Sequence, residues 1–382
     1  MLKDRHVQVR FFCLQVLEDV LRFRLQNLSS ENALMLRQTL WKWTCAHYQE
    51  SDPIYLKNKL AVVLTLLFKH QYLQEWNSFF DDLFALVFGK NDTHLLDLFL
   101  RICITLDEEI VSTTRGQKEA ALLTAIKDTM RLNAVEKLTE AWISILLNYA
   151  GTHPEIAQVC IRLFGSYVSW IDINLVVQER FVSVLYQSLN TASLRIAACD
   201  CLAEIVYKGM KPLEKLSLIQ GLNIPDVLVN LASVSPKPES EDLELDMVIA
   251  KLINATGVEI CSGLDDSQLS AELIPRAFDL LNRIFPSLLQ FMSKTDQDVC
   301  TVVFPFVGAF LLTLKRLKKT PAYASLSQIP ERMDSLLRVL VLKMRHEPDY
   351  DVAQSLEPSE EECPSDHFRK VSCLFISHIS GT

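Results

Sequence analysis

Apolar residues recur every three to four positions along almost the whole chain, in blocks parted by short polar breaks, a helical rather than a strand pattern. The spacing predicts helices over 4–26, 31–49, 54–71, 73–88, 93–111, 117–131, 134–150, 154–171, 174–189, 191–208 and 212–233. It continues with 241–262, 267–292, 297–318, 325–345 and 366–379. Start signals support several of these: Ser30 precedes Glu31, Asp52-Pro53 precedes Ile54, and Pro154 and Pro212 open two more. Proline suits a first turn because its missing N–H has no partner there anyway. Pro275, Pro286, Pro305 and Pro330 are expected to kink or end helices, and Pro236 and Pro238 to mark an exposed break.

Taken in pairs, the helices repeat at roughly 40 residues, the period of HEAT-type repeats. A single pair cannot bury its apolar face, so neighbours must stack. Only 10 glycines occur, with no Asn-Gly or Asp-Gly dipeptide to turn a hairpin. The predicted fold is all-α, a superhelical α-solenoid of HEAT-type antiparallel helix pairs. Its expected divisions are 1–111, 112–235, 236–345 and an acidic tail with the start of a helix over 346–382.

Composition refines this picture. The 382 residues exceed one compact core, which fits several domains or an elongated array. The run Val299–Leu314 carries no charge, but it is shorter than the about 18 apolar residues of a membrane span and holds Pro305. It is expected to be a buried helix, with no membrane insertion. The 10 cysteines are irregularly spaced, and Cys13, Cys103, Cys160 and Cys199 fall on apolar helix faces, so they read as reduced and intracellular. Cys199-x-Cys201 lacks metal-pair spacing, and no metal or cofactor is expected.

The net charge of −9 is uneven: residues 1–72 balance to +4, 235–300 to −7, and 346–366 hold eight acids and no Lys or Arg. Such a layout suits more than one kind of partner, or simply solvated faces and loops. No phosphate-binding glycine loop, G-x-S-x-G elbow or H-E-x-x-H occurs, and pairs such as Glu108-Glu109 point different ways on a helix. An enzyme is not expected.

Four ordered stretches carry a family likeness: His6–Glu18, Tyr55–Phe68 with Tyr72 and Trp76–Phe80, Leu123–Arg131, and Ser166–Leu175. They resemble the importin-β-like nuclear transport receptors and, within them, the tRNA-exportin branch. That resemblance implies a nuclear export receptor that binds RanGTP and tRNA cooperatively and releases tRNA in the cytoplasm after GTP hydrolysis. It implies nuclear pore FG-repeat proteins as further partners, and shuttling between nucleus and cytoplasm. It also implies a chain lacking the first repeat and the C-terminal part, with open apolar ends. The alternatives are a receptor of the same family for another cargo, or a HEAT-repeat scaffold without Ran binding.

By the resemblance, Ran lies on the inner helices 31–49 and 73–88, which nominates Arg37, Gln38, Lys42, Asn77 and Asp81. Glu360, Glu361 and Glu362, in the acidic stretch before Phe368-Arg369-Lys370, would complement a basic face of Ran or serve as a solubilising loop. Lys57, Lys127 and Arg131 are the tRNA candidates. The family often carries arginine where Lys57 stands, and lysine lacks its bidentate fork. Lys127 and Arg131, four apart, would bracket a phosphate or form a local pair with Asp128 or Glu136. Trp41, Trp43, Phe79, Phe80 and Trp170 are expected to fill interhelix space.

Overall fold

The structure, a computed structural model, describes residues 2–24, 29–48, 52–89, 92–112, 117–235, 237, 242–266, 269–270, 272–344, 370, 373–375 and 377. The described residues are mainly helical and contain no strand. Contacts divide the chain into two compact units, Met1–Val184 and Leu185–Thr382.

In the first unit, α1 (Leu2–Phe23), α3 (Ile54–Gln71), α5 (Thr93–Leu106) and α8 (Pro154–Val168) pack one on the next as a layer. A second layer holds α2 (Ser30–His47), α4 (Phe79–Phe88) and α7 (Val135–Tyr149), with α4 against α5 and α7 against α8. α6 (Gln117–Asn133) precedes α7, and α9 (Ile173–Val176) packs on it. Phe68 is fully buried where the layers meet, its ring 4.4 Å from Tyr72 and 4.6 Å from Phe79. Phe164 and Phe181 stack 3.8 Å apart farther along.

Charged side chains stitch neighbouring helices of the first layer. Arg10 forks onto Asp52 through two 2.6 Å hydrogen bonds. Glu18 accepts from Lys59 at 2.5 Å and Arg22 at 2.8 Å, while Arg22 also reaches Glu109 at 2.5 Å. A π-helical turn, Asp107–Val111, ends α5 and carries Glu109. Burial pushes the Glu18 carboxyl up, but the bonds from Lys59 and Arg22 outweigh it and hold the group below its ordinary value.

In the second unit, α11 (Ala192–Tyr207), α14 (Leu243–Leu264) and α17 (Phe304–Leu317) form one layer. The other comprises α12 (Pro212–Gly221) with α13 (Ile224–Val234), then α15 (Ile274–Met292) and α18 (Ile329–Lys343). α14 packs against α11, α15 and α17 at once. Its Asn254 Oδ1 accepts the Phe306 backbone N–H at 2.9 Å, and the Phe306 ring occupies the space where a Cβ on Gly257 would lie. Two stretches, Leu243–Leu264 and Gln297–Leu317, are long and apolar enough to cross a membrane, yet 67% and 56% of their most apolar windows are buried inside the protein.

Lysine side chains close helix ends here. Lys294, 1% exposed, lies 3.1 Å from the fully buried Asp246 and donates to the Ser235 and Lys237 carbonyls at 2.9 and 2.7 Å. Lys343 in turn donates to the Lys294 carbonyl, and Lys215 donates to those of Val206 and Lys208 at the end of α11. A positive charge satisfies carbonyls that the helix leaves unpaired and complements its dipole.

Several element expectations are corrected. The stretch 73–88 is helical only from Phe79, because Gln71 O draws the Gln74, Glu75 and Trp76 N–H groups into a turn. The cap of α2 is Ser29, whose side chain accepts from Asn32 N, rather than Ser30. The stretch 174–189 divides into α9 and α10 (Glu179–Asn190). The stretch 212–233 breaks at Asn223, whose left-handed φ of 51° is steadied by its 2.6 Å bond to Asp226. Helix α15 starts at Ile274 rather than at 267, and 297–318 divides at Val303 into α16 (Gln297–Val302) and α17. A 3-10 turn, Pro321–Ser325, precedes α18, which begins only at Ile329. Most of 346–382, including the helix expected over 366–379, lies outside the described residues. Pro275, Pro305 and Pro330 sit in first turns, leaving Pro286 inside α15. Three second-layer helices thus open with a buried isoleucine and a proline, Ile224-Pro225, Ile274-Pro275 and Ile329-Pro330, a repeat that the apolar spacing alone does not show.

Two outcomes follow for stability. Lys294→Ala strands the buried Asp246 charge and is expected to lose about 3–5 kcal/mol in chemical denaturation, most of it recovered in K294M/D246L. Glu18→Gln is expected to lose about 1–3 kcal/mol at neutral pH. The depressed carboxyl stabilises the fold above its unfolded pKa. The gap between wild type and variant should therefore shrink as pH falls below about 4.5 through the lowered value, as a urea series across pH would read.

Candidate interaction surface

The residues nominated for Ran in the first unit, Arg37, Gln38, Lys42, Asn77 and Asp81, lie on α2, on α4 and in the turn before α4. Arg37, Gln38 and Trp41 on α2 face Glu75, Trp76, Ser78 and Asp82 across a cavity of about 200 Å³. Arg37 donates to the Glu75 carbonyl and lies 5.6 Å from the Trp76 ring centre. The Trp76 indole N–H donates to Asp82 at 2.8 Å, and Trp41 meets the Trp76 ring edge-on at 5.5 Å. The local order begins with the 72–78 turn, which buries Trp76 and leaves Asn77 and Ser78 exposed. Lys42 and Asp81 are exposed too, and Asp81 accepts from Lys137 at 2.6 Å. A guanidinium, amides and carboxylates on a fixed aromatic floor can hold a polar protein surface. Glu360, Glu361 and Glu362 lie outside the described residues.

The three tRNA candidates all have internal partners. Lys57 lies 3.5 Å from Asp97 and over the Tyr48 ring, and Lys127 donates to the Val111 carbonyl at 3.0 Å. Arg131 pairs with Asp128 at 2.8 Å and covers Trp170 at 5.1 Å, so the local pair forms. Of the tryptophans expected in interhelix space, Trp41, Trp43 and Trp170 are half-buried, whereas Phe79 and Phe80 are buried. Cys13 is exposed rather than packed, because α1 turns its other side to α3.

Sequence reasoning missed a groove between α4 and α7. Its two adjoining cavities measure about 360 and 620 Å³ and share Phe88 and Ser144. The signal was present as Phe80, Phe84 and Phe88, spaced four apart. Phe84 packs on Phe99 while Phe88 stays 40% exposed. Among the described residues no group of three or more His, Cys, Asp or Glu is placed to hold a metal. Burial pushes the Cys199 and Cys261 thiols up to about 12, which keeps them protonated and unreactive.

Comparison with known proteins concerns the chain as a whole. The family model described as Exportin 1-like protein matches residues 53–202, and that described as Exportin-T matches 271–379. Exportin-T of Dictyostelium discoideum is 34% identical over 369 residues, covering 94% of this chain and 32% of that protein. Exportin-T of Danio rerio is 32% identical over 387 residues, and that of Homo sapiens 30% over 383, each covering 99% of this chain and 38% of the relative. The chain thus spans 32–38% of the length of these curated relatives. A solved structure titled "Importin13 cytosolic state" superposes with a TM-score of 0.64 at 15% identity, covering 92% of this chain and 42% of that one. It shares the fold of stacked helix pairs.

The exposed Asp81–Lys137 pair should contribute little to stability. Asp81→Ala is expected to change unfolding free energy by less than about 1 kcal/mol, so any larger loss of partner binding in that variant reports a contact at Asp81.

Proposed function

From likeness to exportin-T relatives along nearly the whole chain, we propose that it belongs to their family and forms part of a nuclear export receptor that binds tRNA cooperatively with the small GTPase Ran in its GTP form. In this reading the complex assembles in the nucleus, passes the pore through contacts with FG-repeat proteins, and releases tRNA in the cytoplasm after GTP hydrolysis. The observation that carries it is likeness along nearly the whole chain to exportin-T relatives, rather than along one repeat.

Physical logic supports the coupling. Stacked helix pairs touch only their neighbours, so small changes at each interface add up along the stack. Two ligands that favour the same arrangement raise each other's affinity by the same factor. The polar second-layer surface around Arg37, Gln38, Asn77 and Asp81, flanked by Lys42, is the proposed Ran-facing side. No reacting group is needed, since the free energy of GTP hydrolysis belongs to Ran.

Capture of Ran locked with GTP or GDP on the immobilised chain tests this. Retention of the GTP form alone, strengthened by added tRNA, is expected. Equal binding of both forms, or of neither, overturns the reading in favour of a scaffold. Arg37→Glu, which places a third negative charge beside Glu75 and Asp82, is expected to weaken Ran capture at least tenfold while the helical signal is retained.

A further inference from the structure

The α4–α7 groove, which the Ran reading leaves unused, has a floor of fixed rings. Phe88 stands 5.9 Å from Phe99 and 6.2 Å from Phe84, and Phe84 stands 6.0 Å from Phe99. Phe99 is fully buried and anchors the two outer rings, yet Phe88 keeps 40% of its surface open. Facing them on α7, the half-buried Ser144 borders both cavities, of about 360 and 620 Å³, sizes typical of ligand pockets. Two hollows that share a wall suit two bulky apolar side chains of one occupant.

Aromatic floors serve two kinds of macromolecule: they stack nucleic-acid bases, or they receive apolar side chains of a protein. Charge decides between them here. α7 brings Glu136, Lys137 and Glu140, all exposed, to the larger cavity. Lys137 is taken by Asp81 at 2.6 Å, and Glu140 accepts from Arg180 at 2.9 Å. Glu136 enters no ion pair among the described residues, so this rim carries three acids against two bases. Phosphates would meet repulsion there, whereas a lysine or arginine would find Glu136 open. At the other end Asn148 gives its Nδ2 to the Ser144 carbonyl at 2.9 Å, which leaves its Oδ1 for a backbone N–H of the occupant. We propose that this groove holds a short segment of a protein partner that carries two bulky apolar side chains beside a lysine or arginine. The proposal does not rest on the Ran reading.

The test pans a phage-displayed library of random dodecapeptides on the immobilised full chain, then measures a labelled peptide from the enriched set by anisotropy. Enrichment of paired Phe, Leu, Tyr or Trp with an adjacent Lys or Arg is expected. Ser144→Trp fills the wall common to both cavities and should weaken that peptide roughly tenfold or more. Glu136→Lys, an exposed change that leaves the packing alone, should weaken it about threefold and abolish its salt dependence. Both variants are checked for unchanged helical signal and melting. Absence of any enriched motif, or equal affinity for wild type and both variants, would overturn the proposal. A short oligouridylate that binds more tightly than the peptide, and is lost in Ser144→Trp, would assign the floor to RNA bases instead. A concentration-dependent dimer that Ser144→Trp abolishes would assign the groove to a second copy of the chain.

Discussion

Each helix pair in this protein has more apolar surface than it can bury within itself, and the rest of the structure follows from that mismatch. α14 shows it most clearly. Leu245, Val248, Ile249, Leu252, Ile253 and Ile260 are all buried, because helices of both layers lie against it. At about 25 cal/mol per Å² of apolar area removed from water, such a helix gains its stability from neighbours, not from propensity. Two layers are the smallest arrangement that supplies those neighbours, and the same solution recurs in each unit.

Stacking creates a second problem at the helix ends, where carbonyls and N–H groups lose their partners. The protein meets it partly with caps on the same helix, such as Ser29 on α2, and partly with side chains placed on adjacent helices. Lys294, Lys215 and Lys343 serve carbonyls of neighbouring segments, and Asn254 serves the Phe306 N–H. Arg10, Arg22 and Lys59 do comparable work between α1 and its neighbours. The consequence for function is direct. A cation committed to a neighbouring helix is unavailable to a ligand without breaking that contact, so a basic residue's position in sequence says little about its availability.

Family likeness and geometry therefore contribute different things. Likeness to exportin-T relatives along nearly the whole chain is what the proposed transport role rests on. Geometry separates side chains that hold the stack, such as Lys57 and Lys127, from those that face outward, such as Lys42 and Asn77. The tryptophans belong to both groups. Trp76 is a fixed floor under Arg37, and Trp170 is covered by Arg131.

By itself the sequence determined the helical class, the pairing and most long helices, because a 3.6-residue apolar period is a local property repeated many times. Through the resemblance it also nominated Arg37, Gln38 and Asp81, which the fold places on α2 and α4. It did not reveal the breaks at Asn223 and Val303, where apolar spacing continues across a change of direction and only packing against α15 or α14 selects the turn. Nor did it reveal the α4–α7 groove, whose walls are 50 to 60 residues apart in the chain. Which cations are spent inside the fold was likewise decided by tertiary structure alone, since an ion pair such as Lys294–Asp246 depends on distance and burial across helices, and neither is encoded in local spacing.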